Sequence, residues 1–491
     1  MIAIMKVALN FKLAVALLGF LLSAGAFCQE KQTILQLSNA VNNTIVRDYV
    51  GHGYVTYVET ASDRLFLNVD ANMNVVYSVK LPQSYSVKDF RIYNDMVYFC
   101  GSNNTAQQGV VGLLGYFYLN EMCTDSNKLY THDIFWHGPF SLWRVKEFVE
   151  MAVFDPYQTP TGQSDTVAIA LVGRDINTKN FIMEAIGPAN SPQNWRFALG
   201  YNSNNQSNEK FNHVVVTRHY VVTGGTAYNE LNAGVSLRAC DKTALPDMFT
   251  NTTIHNSFYR YPTNEVLVPQ QNHTMYPIQQ QFAMTAMDAK HGDSVATMSL
   301  YRKNTSGVQP QTYYGVLVNI YNMYATVTTS NINCAHSLYE PAAYLLAQSK
   351  IFDLSFDTIN KELRGLYSVN TPLLGLENRC VKIPYLQTLP YTTGYYTMAA
   401  IDFNSLTCTD YGTAYLTSGV YNFSQSIAAY YKHFINANPN CSITYPVDYS
   451  ATEIFTSKEV KDALSIYRGS FGFNVQDVNC SNFNFIVNCT K

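Results

Sequence analysis

The stretch DMVYFCGSN (Asp95 to Asn103) is a short apolar run that stops at a glycine, and the chain writes it repeatedly. TVAIALVGRD (Thr166 to Asp175), HYVVTGGTAY (His219 to Tyr228) and GTAYLTSGVY (Gly412 to Tyr421) are further copies. Five or six β-favouring residues bounded by a glycine read as a strand. The glycine is expected to let the chain leave a crowded strand end through a backbone geometry closed to other residues.

Each copy sits inside a longer phrase. KDFRIYN precedes DMVYFCGSN and VGLLGYFYL follows it; EFVEMAVFD precedes TVAIALVGRD and NFIMEAIG follows; FNHVVVTRH leads into HYVVTGG, and GVSLRACD follows. Weaker copies cover Tyr54 to Leu81, Ala283 to Tyr321, Ile351 to Val369 and Tyr395 to Gly419. Short β runs joined by turn residues predict antiparallel hairpins. About seven groups of three or four strands emerge, and runs such as VAIALVG show little apolar–polar alternation, as expected of sheets buried on both faces. The expected fold class is therefore all-β, a β-propeller of about seven blades over residues 29–434. A pair of β-sandwich domains is the competing architecture. Helical periodicity is confined to EPAAYLLAQSK (Glu340 to Lys350), SQSIAAYYKHF (Ser424 to Phe434) and SKEVKDALSIY (Ser457 to Tyr467), so the C-terminal tail, 435–491, is expected to contain a short helix.

The N-terminus carries an address. Lys6 and Lys12 precede LAVALLGFLL (Leu13 to Leu22), and small residues follow up to Cys28. A charged start, a ten-residue apolar core and a small-residue exit describe a secretory signal peptide over residues 1–28. The run is too short to span a bilayer, which needs about 20 residues, and no later segment reads as a membrane span. Export to the periplasm, cell surface or exterior is expected. Removing Cys28 leaves nine cysteines, an odd number in a compartment that permits disulfides. Cys480 and Cys489 are the candidate bonded pair, whereas Cys100 and Cys240 sit in strand-like runs and read as buried small hydrophobes.

The phrase DFRIYNDMVYFCG with GVVGLLGYF resembles the blades of uncharacterised exported propeller-like proteins of the Bacteroidetes group, and HYVVTGG is weakly similar to the double-glycine strand of kelch blades. Asp165-Thr166-Val167, Asp293-Ser294-Val295 and Asp357-Thr358-Ile359 resemble the O-glycosylation pattern of that group. The resemblance implies a periplasmic or extracellular address and no assigned activity.

Composition and motifs exclude several chemistries. Charged residues are only 14% and the net charge is −3, which gives no footprint for nucleic acid. The chain contains no His-Glu-x-x-His, no Gly-x-x-x-x-Gly-Lys, no Gly-x-Gly-x-x-Gly and no Gly-x-Ser-x-Gly, so no metal cage, cofactor loop or activated serine is expected. DANMN (Asp70 to Asn74) imitates a calcium loop but has Val75 and Leu81 where such loops carry glycine and glutamate. The partner expected is a protein or a glycan. THDIFWHGPFSLWR (Thr131 to Arg144) gathers His132, Trp136, His137 and Trp143 in a loop-like insertion, and Trp136, His137 and Trp143 are the candidate binding residues, since exposed Trp and His stack on sugar rings or anchor partners. The alternative reading packs the tryptophans over a blade junction. The enzyme alternative, a polysaccharide hydrolase or lyase, needs separated carboxylates; Asp288, Asp353 and Asp402 occupy related places in their strands and are its candidates. Turn hydrogen bonding is the plainer role for all three.

The processing reading predicts a mature chain that begins at Gln29 or within a few residues of it, with cleavage after Ala26 as the competing site. Intact-mass measurement of exported protein checks this, and retention of residues 1–26 contradicts it.

Overall fold

A computed structural model describes residues 31–36, 41–49, 51–70, 75–105, 107–119, 128–134, 144–157, 165–175, 180–189, 191–202, 208–228 and 233–242, the strand segments and short turns between 257 and 451, and 458–459, 464–477, 479–480 and 488–490. All thirty-five elements are β-strands, gathered in seven antiparallel sheets of five.

The first sheet holds β2 (Val41–Tyr49), β3 (Gly53–Thr60), β4 (Arg64–Val69) and β5 (Val75–Lys80). The second holds β6 (Tyr85–Tyr93), β7 (Met96–Thr105), β8 (Gly109–Tyr118) and β9 (Lys128–Ile134). The third is β10 (Val145–Phe154), β11 (Thr166–Asp175), β12 (Asn180–Pro188) and β13 (Trp195–Asn202). The fourth is β14 (Asn208–Val216), β15 (Tyr220–Tyr228), β16 (Ala233–Asp241) and β17 (Ser257–Arg260). The fifth is β18 (Met284–His291), β19 (Ser294–Asn304), β20 (Thr312–Asn322) and β21 (Cys334–Ala342), and the sixth is β22 (Lys350–Asp357), β23 (Glu362–Thr371), β24 (Gly375–Pro384) and β25 (Thr392–Met398). The seventh is β26 (Phe403–Tyr411), β27 (Ala414–Tyr421), β28 (Ile427–Phe434) and, from the other end of the chain, β1 (Lys31–Gln36).

The fifth strand of every sheet comes from the C-terminal segment, in reverse order. β29 (Thr444–Asp448) joins the sixth sheet, β30 (Ser450–Ala451) the fifth, β31 (Lys458–Glu459) the fourth and β32 (Leu464–Phe471) the third. β33 (Asn474–Asp477), β34 (Asn479–Cys480) and β35 (Asn488–Thr490) then join the second, first and seventh. The tail is thus a belt that visits all seven sheets, and this corrects the expected helix where it is described, at 458–459 and 464–467; 457 and 460–463 lie outside the described residues. Leu464 and Ile466 alternate with Ser465 and Tyr467 along the edge of β13, so an open sheet edge outweighs the helical period of SKEVKDALSIY. Ser424 to Phe434 is corrected likewise: β28 is flanked by β27 and β1, so strands satisfy its backbone on both sides. Of Glu340 to Lys350, the first three residues end β21 and Lys350 opens β22; 343–349 lie outside the described residues. Sheets of five rather than three or four strands follow from the same belt.

Core packing explains why the runs lack alternation. Along β7, Val97 and Phe99 enter a cluster with Tyr57 and Phe66 of the first sheet. Tyr98 and Cys100 point the other way, into a cluster with Phe148, Met151, Ile169 and Leu171 of the third. β11 repeats this: Val167, Ile169 and Leu171 face the second sheet, and Ala168, Ala170 and Val172 face Phe211, Val214 and Val221 of the fourth. Phe66, fully buried, lies within 5.1–5.7 Å of the rings of Tyr57, Phe90, Phe99 and Phe117. Burying such a ring contributes about 1.5–3 kcal/mol. Cys100 is a buried free thiol, as expected; the side chain of Cys240 lies outside the described residues.

The recurrent glycine has a different cause from the one expected. β7 and β11 run on past Gly101 and Gly173 to Thr105 and Asp175, so neither glycine ends a strand. Each lies opposite a β-bulge in the first strand of its sheet: Gly101 pairs with Val87 beside the Val87/Asp89 shift, and Gly173 with Phe148 beside the Phe148/Glu150 shift. A Cβ at Gly101 would stand 1.9 Å from the Ser86 carbonyl oxygen, and one at Gly173 would stand 2.7 Å from that of Glu147. The glycine makes room for a backbone that the bulge pushes inward.

Glu184 of β12 is the exception to an apolar interior. It shares the face of Ile182, between Ala170 and Ala198 on the adjacent strands, and is 7% exposed. Burial pushes its carboxyl from 4.5 up to about 7. The unfolded chain ionises at the lower value, so the folded state is unpenalised below it and loses stability as pH rises through 7. Glu184→Gln is expected to stabilise the protein by roughly 3 kcal/mol at about pH 8.5 and hardly at all near pH 4.5; denaturant melts at the two pH values check this.

Candidate functional site

The first strands of the seven sheets lie side by side. β2 contacts β6, β6 contacts β10, and the series continues through β14, β18, β22 and β26 before returning to β2. Each carries a register shift, and the residues that follow one are Asn43 in β2, Asp89 in β6, Glu147 and Glu150 in β10, His213 in β14, Ala286 and His291 in β18, Asp353 in β22 and Ser405 in β26. A bulge turns the strand and re-aims the side chain that follows. One mostly polar position is therefore presented seven times around the inner strands.

Four of these strands are bound by a continuous ion-pair network. Asp89 is 2% exposed. Its Oδ1 accepts from Arg47 Nη2 of β2 at 2.7 Å, and its Oδ2 accepts from the Met151 amide of β10 at 3.1 Å. Arg91 Nη2 lies 3.1 Å from that same Oδ2 and 3.1 Å from Glu150 Oε1. Glu150 Oε2 in turn lies 2.7 Å from His213 Nδ1 of β14. Backbone carbonyls take the remaining guanidinium donors: Arg47 Nε donates to Phe90 and Arg91 Nε to Met151. Burial works against the charge on Arg47, but Asp89 beside it, with Asp353 and Glu150 farther off, holds its pKa above the ordinary value. Charges alternate along Arg47, Asp89, Arg91 and Glu150, so each buried charge has an opposite neighbour.

A second polar cluster joins the turns at the ends of these strands. Asp293, in the turn between β18 and β19, accepts from Thr217 Oγ1 and the His219 amide, both at 2.9 Å, and its Oδ2 lies 2.6 Å from His219 Nδ1. Burial opposes ionisation of Asp293, yet the bonds from His219 and Thr217 hold its pKa below the ordinary value. The pattern recurs between the first and second sheets, where Tyr49 donates to Asp95 at 2.8 Å. In both cases a turn aspartate grips the turn region of the preceding sheet.

The sequence candidates distribute unevenly over this geometry. Asp353 occupies the bulge position of β22 and accepts the Leu354 amide at 2.9 Å. Asp288 lies on β18, also a first strand, but two residues beyond the bulge residue Ala286; the two are equivalent as strands and not as positions. Asp402 lies outside the described residues, as do Trp136, His137 and Trp143. His132 is not in a loop: it belongs to β9, and its ring stacks on Phe471 of the belt at 4.6 Å. Cys480 and Cys489 lie on β34 and β35, opposite Val79 and Gln32 in neighbouring sheets. Among the described residues no group of three His, Cys, Asp or Glu is placed to hold a metal ion, and no helix is long and apolar enough to cross a membrane.

The network Asp89, Glu150 and His213 was missed, although VKDF, FVEM and FNHV carry it in the same phrase. Apolar, any, polar, apolar, at the head of each group, is the signal.

No family model matches this chain, and no curated protein does. Among solved structures, the Nup133 β-propeller domain of Vanderwaltozyma polyspora is similar at 9% identity and TM-score 0.34, over 82% of this chain and 98% of that one. The polysaccharide lyase Uly1 is similar at 6% identity and TM-score 0.29, over 80% and 90% of the two chains. Trypanosoma rangeli sialidase follows at 7% identity and TM-score 0.28, over 82% of this chain and 59% of that one. Likenesses this distant carry no argument about activity.

Removing one member of a buried ion pair leaves the other uncompensated, at a cost of about 3–5 kcal/mol. Arg47→Met is expected to destabilise the protein by that amount. Arg47→Met with Asp89→Leu is expected to cost less than the two single changes summed, and a double-mutant cycle in denaturant measures the coupling.

Proposed function

We propose that the seven sheets form one closed β-propeller of seven blades, that the protein is exported, and that it binds a protein or glycan partner without turnover. The cyclic order of first-strand contacts, with β26 returning to β2, supports closure. Completion of the last blade by β1 supports it too, because a strand from the opposite end of the chain joins the ring's two ends. The charged start and apolar run of residues 6–22, and the resemblance to exported propeller-like proteins, support the address.

The observation that carries the binding reading is the saturation of the inner carboxylates. Glycoside cleavage requires one carboxyl to deliver a proton while another stays ionised. Asp89 is gripped by arginine and a backbone amide, and Glu150 by Arg91 and His213. Groups so engaged hold strands together and are poorly placed to exchange protons with a substrate. The carboxyl that burial does keep protonated near neutrality, Glu184, sits between the third and fourth sheets, away from this network. A chain low in charge and rich in Tyr and Asn has the residue types for stacking on sugar faces and for amide bonds to hydroxyls. Trp136, His137 and Trp143 are the residues proposed to make those contacts.

The enzyme alternative keeps one support: Asp353 stands on a first strand at the bulge position. Incubating the full chain with a panel of polysaccharides, while following both retention and new reducing ends, separates the readings. Retention without new reducing ends, weakened about tenfold or more by Trp136→Ala or Trp143→Ala, is the expected outcome. Reducing ends that vanish on Asp288→Asn, Asp353→Asn or Asp402→Asn establish the enzyme instead.

A further inference from the structure

The belt is held very unequally. On the fifth, fourth and first sheets it pairs through two residues each: Leu338 and Tyr339 with β30, Tyr259 and Arg260 with β31, and Val79 and Lys80 with β34. Between the third and second sheets it is wedged. β32 runs eight residues along β13 and β33 four along β9, and the turn between them inserts Phe471 and Phe473 into the core that those two sheets share. Phe473 meets Trp195 at 5.4 Å and Tyr116 at 5.0 Å, and its amide donates to the Pro192 carbonyl at 2.7 Å. The slot is closed on one side by His132, whose ring lies nearly parallel to Phe471, 4.6 Å away and tilted by 19°.

We propose that the C-terminal belt is a releasable latch, held by the Phe471–Phe473 wedge and freed when the imidazole of His132 takes up a proton, while the seven four-stranded sheets remain folded. The wedge stacks on one imidazole and otherwise meets Trp195, Phe197 and Tyr116, and among the described residues two-residue pairings flank it on either side. Losing it uncovers the outer edges of β9 and β13.

The surroundings set the direction. The charged and titratable side chains on the elements around His132 are Lys128, Tyr130 and Asp133 of β9, Tyr116 and Tyr118 of β8, Asp477 of β33, Tyr467 and Arg468 of β32 and Arg196 of β13. Lys128 is paired with Asp477, and both oxygens of Asp133 accept from Asn103 Nδ2 at 3.0 Å. Burial holds the His132 imidazole below its ordinary range, against the pull of Asp133 and a backbone bond to Gly472. The neutral ring is therefore the form the slot favours. The contact is fully present above the ordinary histidine value of 6.5 and weakens as pH falls below it.

Hydrogen exchange of the full chain, mapped at about pH 7.5 and about pH 5 and corrected for intrinsic rates, tests this. Protection of the β32 and β33 amides is expected to fall about tenfold or more at the lower pH, with Ile169 and Leu171 of β11 unchanged. His132→Phe keeps an aromatic ring in the slot without the titration, and is expected to keep the belt protected at both pH values. Equal belt protection of the wild-type chain at the two pH values overturns the proposal. So does simultaneous opening of belt and β11, or acid release that persists in His132→Phe. If that variant does not fold, the wild-type map decides alone.

Discussion

How the first four sheets meet depends on neutralising one carboxylate. Asp89 is almost wholly buried, and a buried charge without a partner costs several kcal/mol. Its partners come from three sheets: Arg47 from the first, Arg91 from its own, and the Met151 amide from the third. Glu150 passes the linkage on to His213 of the fourth. The network therefore fixes how adjacent sheets meet, and the aromatic clusters between them pack around a spacing already set by charge. The polar chain supplies direction, since an ion pair tolerates little displacement, and the apolar clusters supply most of the energy.

The bulge is the backbone counterpart of this arrangement. Shifting the register after Val87 and after Phe148 turns Asp89 and Glu150 toward their partners, and the inward-pushed backbone needs Gly101 and Gly173 across from it. Charge, bulge and glycine form one device in the second and third sheets, and the fourth repeats it with His213 opposite Gly224.

Much of the fold was legible because both faces of the sheets are buried. Runs such as VAIALVG and MVYFCG announce central strands, and their spacing announced the number of groups. The belt was not legible. Its strands are two to eight residues long, and SKEVKDALSIY has a helical period that only an open edge on β13 overrules. The glycine was seen and its cause misread, because crowding by a bulge in another strand leaves no mark beside the glycine itself. Asp353 was named from the sequence for another role, as a carboxylate of the enzyme alternative, and Asp89, Glu150 and His213 were not named: they differ chemically, and no chemical motif links them. What links them is their position in a phrase, which becomes visible once the bulges align the strands.

The seventh sheet interleaves the chain's two ends. β1 lies between β28 and β35, so Gln32 pairs with both Tyr431 and Cys489. Synthesis delivers β1 well before these partners, and contacts so distant along the chain close slowly. Until the last segment emerges from the ribosome, each of the other sheets has an outer edge lacking its final strand, and such edges invite wrong pairing with other chains.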